Sequence, residues 1–370
     1  MLVDLDYFFA QCEERRNPSL REKPVVVCVY SGRTEDSGAV STANYIARKY
    51  GVRSGMPIFL AKRKLKGVDA VFLPVDHAFY GEVSGNIVRI LESYADSFEQ
   101  VGIDEAYLDV TQRVNRGFEA AEELARKMKE EVKAREGLTF SVGVAPNKLV
   151  AKISASFRKP DGLTVVKPDE VEGFLAPLPV DRLIGVGRKT SGKMELLGIR
   201  TIGDLARYDV TKLIEVFGRN LAGYFQTASH GIDESPVQER GEAESISRIV
   251  TLKEDTRDLD AVMQKANELC EDVCATLIER GLSFKSVSVS AVLRDMSIHS
   301  RSRSFETPTD DLEILKEATA ELFERLLAEV GQEARRVGVR VSNFAKGPET
   351  QKHLTDFIRG LKPQDGPKPC

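Results

Sequence analysis

The chain alternates short β-prone apolar runs with segments of helical period. It opens on MLVDLDYFF, and a second run broken only by acids, VGIDEAYLDV, follows about a hundred residues later. Residues 1–10 read as a strand and 10–16 as the start of a helix. PVVVCVY (24–30) is a strongly apolar strand, SGRTEDSG a turn, and residues 43–49 a helix. Amphipathic spacing predicts a helix over 80–95, and a charged helix covers about 117–135. Residues 99–110 and LTFSVGVA read as strands. Mixed strands and helices make this part α+β.

From about residue 170 to 230 the pattern changes to short helices separated by Gly-rich turns. HGIDESPVQERGEAE (230–244) has no apolar period and reads as a linker. After it the order is strand (SISRIVTLK), helix (259–278), two strands around Asp295, helix (312–330) and a last strand, RRVGVRVSNF. This β-α-β-β-α-β order predicts a split βαβ domain, a four-stranded sheet with two helices on one face. A polar tail follows from about residue 345.

Composition changes the picture little. A chain of 370 residues predicts two to four domains. No apolar run is long enough to cross a membrane, and five cysteines without paired spacing point to a reducing, cytoplasmic setting. Cys270 and Cys274 fall on the apolar stripe of a helix and read as small core residues. The four histidines lie far apart and suggest no site.

Charge changes more. The net charge of −4 does not advertise nucleic-acid binding. In the last domain, however, the strand segments carry Arg248, Lys253, Lys285, Arg294, Arg301, Arg303, Arg335, Arg336, Arg340 and Lys346 without an acid. The helices carry Glu268, Glu271, Asp272, Glu317, Glu321 and Glu324. If the helices cover one face, the open face is basic and fits a phosphate backbone. SRSRS alternates at period two, which places Arg301 and Arg303 together on that face.

Two clusters carry the candidate chemistry. Ionised carboxylates in apolar runs are costly unless paired or bound to a cation. The runs carrying Asp4 and Asp6, and Asp104 and Glu105, would cluster acids if they lie side by side in a sheet, and therefore point to a divalent metal with a phosphate substrate. The second cluster is Gly185 and Gly187 ahead of Lys189 and Lys193. It fits a hairpin between two helices that offers backbone N–H groups to a phosphate. A looser copy lies around Gly218.

Taken together, DLDYFFAQCE, KPVVVCVYSGR, STANYIARKYGVRSGMP, GIDEAYLDV, VGVAPNKLVAKISASFRKPDG, IGVGRKT, SISRIVTL and RRVGVRVSNF resemble a Y-family DNA polymerase of the DinB (polymerase IV) type, in its archaeal form. The resemblance covers almost the whole chain. It implies a right-hand fold: palm (1–18 and 72–165), fingers (19–71), helical thumb with helix-hairpin-helix (166–230), linker (231–244), little finger (245–345) and a tail (346–370). It implies a DNA-directed DNA polymerase of low fidelity that copies past damaged template bases. No segment remains for a proofreading exonuclease.

By the same resemblance two Mg²⁺ ions per site are held by Asp4, Asp104, Glu105 and the Leu5 carbonyl. Asp6 is read from the period-two geometry as a neighbour on the opposite strand face, outside the ligand set. Tyr45 and Arg48 on one helix face, with Lys159 and Thr42, contact the triphosphate of the incoming dNTP. Phe8 and Phe9 also line the dNTP site, and Phe9, flanked by Phe8 and Tyr7, is the steric gate against a 2′-hydroxyl. Gly185, Gly187, Lys189, Arg248, Arg301, Arg303, Arg335, Arg336 and Arg340 contact primer–template DNA. One departure is Gly102, where the family often has Ser before its acidic triad.

The tail motif Gln351, Leu354, Phe357 and Ile358 looks like a peptide for the sliding clamp (PCNA). The protein is expected to act as a monomer. Rival readings are a restricted nucleotidyl transferase of the same family and a palm-type nucleotide cyclase.

Overall fold

A computed structural model describes residues 1–239, 241 and 244–346. Two compact units emerge. One comprises residues 1–30 and 38–241, the other 31–37 and the chain from 242 onward.

The first unit begins with β1 (Leu2–Leu5), α1 (Phe8–Arg16), β2 (Val25–Tyr30), β3 (Gly38–Ala43), α2 (Tyr45–Lys49), α3 (Ile58–Lys64), β4 (Val71–Pro74) and α4 (His77–Glu92). It continues with β5 (Ser97–Gln100), β6 (Glu105–Asp109), α5 (Phe118–Glu136), β7 (Phe140–Val144), α6 (Lys148–Ala155) and β8 (Leu163–Val165). The five-stranded sheet has the order β5-β6-β1-β7-β8. Its apolar face carries Val3, Leu5, Ala106, Leu108, Phe140 and Val142 in the main core. A smaller sheet, β3-β2-β4, closes its own core with Val26, Cys28, Val40 and Ile58.

On the other face of the large sheet α6 lies very close to β7. A Cβ at Gly143 would stand 2.0 Å from the Ala151 carbonyl oxygen, so only glycine admits that approach. The remaining helices are α7 (Val171–Leu175), α8 (Arg188–Leu196), α9 (Ile202–Ala206), α10 (Val210–Phe217) and α11 (Arg219–Ser229). They share one core around Leu175, Met194, Leu205, Leu213 and Phe225.

Three readings of the sequence change here. The run 99–110 is not one strand. It is a hairpin in which Val101 and Gly102 N–H groups both return to the Glu105 carbonyl, which leaves Asp104 in the connection. The helix expected from residue 43 starts at Tyr45, because Ala43 ends β3 and Asn44 caps the helix by accepting from the Ala47 N–H at 2.9 Å. The linker is tied down along its first half. Asn147 Nδ2 donates to the Gly231 carbonyl, Asp233 accepts from the Leu149 N–H, and Val237 packs beside Leu2 and Tyr107. Isolated anchors of this kind have no period to read.

The second unit holds β9 (Ser245–Thr256), α12 (Leu259–Arg280), β10 (Leu282–Leu293), β11 (Ile298–Thr309), α13 (Leu312–Glu329) and β12 (Ala334–Lys346). All neighbours in the sheet β11-β10-β12-β9 are antiparallel. Each β-α-β crossover is thus split by a strand of the other. Cys270 is buried among Val262, Ala266 and Phe323, and Cys274 is buried on the same helix; both are free thiols.

The charge sorting needs correction. Arg301 pairs with Val289 across β10, and Arg303 with Val287, both core residues. Directly opposed residues share a face. Arg301 and Arg303 therefore lie on the helix-covered side, where they form ion pairs with Glu329 and Glu321 of α13. Arg248 is opposed to the buried Val339 and donates to Thr276 Oγ1 of α12 at 2.9 Å. Period two was correct for the pair; the face was not. The strands also run past the basic windows and take in Glu254, Asp255 and Glu306.

The open face instead presents Arg336 and Arg340 of β12 with Gly338 between them. Around them stand Ser247 and Thr251 of β9, Ser286, Ser288 and Ser290 of β10, and Ser300, Ser302 and Ser304 of β11. Arg340 is exposed, and Arg336 Nε finds no hydrogen-bond partner among the described residues. Arg335 sits in the bulge at the start of β12, 3.9 Å from Asp255.

Candidate active site

The antiparallel register sets Asp4 of β1 opposite Glu105 of β6 and, on the other side, opposite Ser141 of β7. All three side chains share one face of the sheet. Asp104 joins them from the hairpin, whose carbonyl accepts from the Leu5 N–H at 2.8 Å. Asp4, Leu5, Tyr7, Phe8, Phe9, Ser41, Thr42, Arg48, Ser54, Ile103, Asp104 and Lys159 line one cavity of about 370 Å³.

Burial raises the Asp4 carboxyl above its ordinary value against the lowering pull of Lys159. Asp104 is raised by burial first and by the negative charge of Asp4 next. Lys159 forms an ion pair with Asp4, and Lys152 of α6 grips Glu105 through both oxygens at 2.6 and 2.8 Å. These ammonium groups stand where the cluster lacks positive charge. Among the described residues no three His, Cys, Asp or Glu side chains converge as a ready metal cage. The Asp4 and Asp104 oxygens, whose ionisation burial opposes, nevertheless fit a hard divalent cation.

The opposite wall carries α2. Arg48 lies over the Tyr45 ring at 4.8 Å and donates from Nε to the Ala43 carbonyl. Tyr45 meets Tyr7 edge to face at 5.3 Å. Burial, then Asp6, raises the Tyr45 hydroxyl and keeps it protonated. Phe9 stacks on Tyr80, with ring centroids 4.4 Å apart at 15°. The Tyr80 hydroxyl is fixed by Glu13, and Glu13 by Arg16. Phe8 reaches the cavity edge, but its ring is buried in the core beside Tyr80.

Asp6 is not on the opposite face. Alternation keeps residues 4 and 6 together, and Asp6 accepts from Ser141 Oγ, beside Asp4. The strand ends at Leu5, and the left-handed turn at Tyr7 (φ 36°) leaves Asp6 wholly buried with its oxygens occupied. The reading also missed Lys152 and Tyr80. A lone cation among Leu149, Val150, Ala151 and Ile153 was the available signal for the first.

Elsewhere in this unit Gly185 takes φ +85° and lies against Tyr224, whose hydroxyl donates to the Ile184 carbonyl at 2.8 Å. Gly187 caps α8 with open space beside it, and Lys189 is exposed in the first turn. Gly218, with φ +77°, ends α10 and starts α11. Gln351, Leu354, Phe357 and Ile358 lie outside the described residues.

Comparison with known proteins decides what this assembly is. The impB/mucB/samB family model matches residues 3–156, its C-terminal domain model 243–354, and the IMS family HHH motif 168–199. DNA polymerase IV 1 of Methanosarcina mazei is 45% identical over 96% of this chain and 98% of its own length. DNA polymerase IV of Nitrosopumilus maritimus is 43% identical over the same shares. The chain belongs to the Y-family DNA polymerases, as an archaeal-type DNA polymerase IV (DinB).

Solved Y-family structures agree. A chimera of the Dbh and Dpo4 polymerases superposes with a TM-score of 0.87 at 37% identity, over 92% of this chain and 98% of that one. An insertion ternary complex of Dbh DNA polymerase gives 0.67 at 36% over the same shares. As a Y-family member the protein is a translesion DNA polymerase, and polymerases of this family are metal-dependent. No helix among the described residues is long and apolar enough to cross a membrane.

Proposed function

We propose that this Y-family polymerase extends a primer on template DNA by nucleotidyl transfer with two Mg²⁺ ions. The observation that carries this is the shared face of Asp4 and Glu105, with Asp104 joining Asp4 and Lys159 in one cavity. Asp4, Asp104, Glu105 and the Leu5 carbonyl would hold the ions. When bound, they would supply the charge that favours the primer alkoxide and the leaving pyrophosphate.

The protein's own groups do the rest. Arg48 and Lys159 present a fork and a point charge to the triphosphate, with the Tyr45 and Thr42 hydroxyls as further donors. Lys159 reaches Asp4 in this structure, so it exchanges a carboxylate for phosphate oxygens when the nucleotide enters. The Phe9 ring, braced by Tyr80, closes the space that a 2′-hydroxyl would need.

Residues 1–18 and 72–165 form the palm, 19–71 the fingers, 166–230 the thumb and 245–345 the little finger. The Gly185–Gly187 hairpin with Lys189, and the open face with Arg336 and Arg340, hold primer–template DNA. Tail residues 346–370 carry the sliding-clamp peptide, the protein acts as a monomer, and it has no proofreading exonuclease. A primer-extension assay tests the core of this reading. Extension of a primed template by the parent and its loss in Asp104→Ala are expected; extension by Asp104→Ala at the parent rate would overturn it.

A further inference from the structure

Asp6 has a task that the metal site does not explain. It is wholly buried, and no lysine or arginine among the described residues pairs with it. A buried carboxylate needs compensation. Asp6 receives it from Ser141 Oγ at 2.8 Å, Thr139 Oγ1 at 3.1 Å and the Asp161 backbone N–H at 2.7 Å. Its backbone is pinned as well. The N–H donates to the Thr139 carbonyl, and its carbonyl accepts from Gln11 Nε2 at 2.7 Å.

The loop it holds is the one that carries Lys159. Asp161 has a left-handed backbone (φ 52°). A Cβ at Gly162 would stand 2.0 Å from the Arg158 carbonyl oxygen, so the loop folds tightly back on itself. The Gly162 N–H donates to Ser141 Oγ at 3.2 Å, and that same hydroxyl donates to Asp6. Two successive loop N–H groups thus end, directly or through one hydroxyl, on the Asp6 carboxylate. On the outer side Lys129 bonds Asp161 Oδ1 at 2.6 Å. From this clamp Lys159 emerges to meet Asp4.

We propose that Asp6 is a positioning residue for the incoming nucleotide: by fixing the 159–162 loop it sets where the Lys159 ammonium stands. This rests on the reading that Lys159 contacts the triphosphate. Asp6 then acts on nucleotide capture and leaves DNA binding alone. Its neutral donors suit that task, since an arginine there would compete with the loop for its oxygens.

A double-mutant cycle tests the proposal, with KM for dNTP, kcat and Kd for primer–template DNA measured in each variant. Asp6→Ala is expected to raise KM about tenfold, the weight of one hydrogen bond to a charged group, with Kd for DNA unchanged. In a Lys159→Ala background the same change should add less than about twofold, since its route of action is already gone. Asp6→Asn, which keeps one oxygen for the Asp161 N–H, should restore most of the parent KM. If Asp6→Ala does not fold, Asp6→Ser, too short to reach the Asp161 N–H, replaces it in the same cycle. Equal factors in both backgrounds overturn this proposal alone, as does an unchanged KM in the folded Ala or Ser variant. An unchanged KM in Lys159→Ala overturns the triphosphate assignment, and this proposal with it.

Discussion

The face assignment in the C-terminal sheet makes a quantitative claim about DNA binding. Each phosphate contact by Lys or Arg releases counterions and contributes about −0.9 to the slope of log K against log salt. The register places Arg336 and Arg340 on the open face, with Gly338 between them removing any side chain that would hold a backbone away. If each contacts one phosphate, Arg336→Ala with Arg340→Ala makes the slope shallower by about 1.8. Between about 50 and 200 mM salt the double variant then loses about twelvefold less affinity than the parent. Arg301 and Arg303 face the helices and pair with Glu329 and Glu321. Removing both should change the slope by less than about half a unit, and exposed pairs of this kind add little to stability. Fluorescence anisotropy of a labelled primer–template across a salt series reads both slopes. The reasoning is refuted if Arg301→Ala with Arg303→Ala flattens the slope as much as the open-face pair does.

Two further outcomes follow from the site. In the metal-free protein the folded state raises the Asp104 pKa above its ordinary 3.8. Its contribution to stability is therefore most favourable below that value. It declines as pH climbs toward the raised folded value and stays unfavourable above it. Asp104→Asn should melt a few degrees higher than the parent at pH 7 in chelator, with the gap closing below about pH 4; a gap independent of pH would count against the assigned cause. Phe9→Ala should raise ribonucleotide incorporation relative to deoxynucleotide by roughly ten- to a hundredfold in single-nucleotide extension, and unchanged selection would remove Phe9 from the gate.

Much of the site was legible because its logic is local. Carboxylates in apolar β runs advertise a buried cluster, and Tyr45 and Arg48, three apart on a helix, do share one face. Asp104 was legible as an acid but not as a hairpin residue, since the turn needs the paired return of β6 to β5. Lys152 escaped notice because its value depends on Gly143, nine residues away in another element, letting α6 lie against the sheet.

By itself the amino-acid order determined most of the elements, their periods, the acids and the family motifs, all of which are properties of neighbours along the chain. Tertiary structure alone decided which way each face looks. Arg301 and Arg303 alternate correctly, yet only their cross-strand partners Val287 and Val289 show that they look toward the helices. Asp6 repeats Asp4 at period two, yet only the end of β1 and the donors of β7 and residue 161 take it out of the metal site. Alternation specifies that two residues share a side; burial against distant segments specifies which side that is.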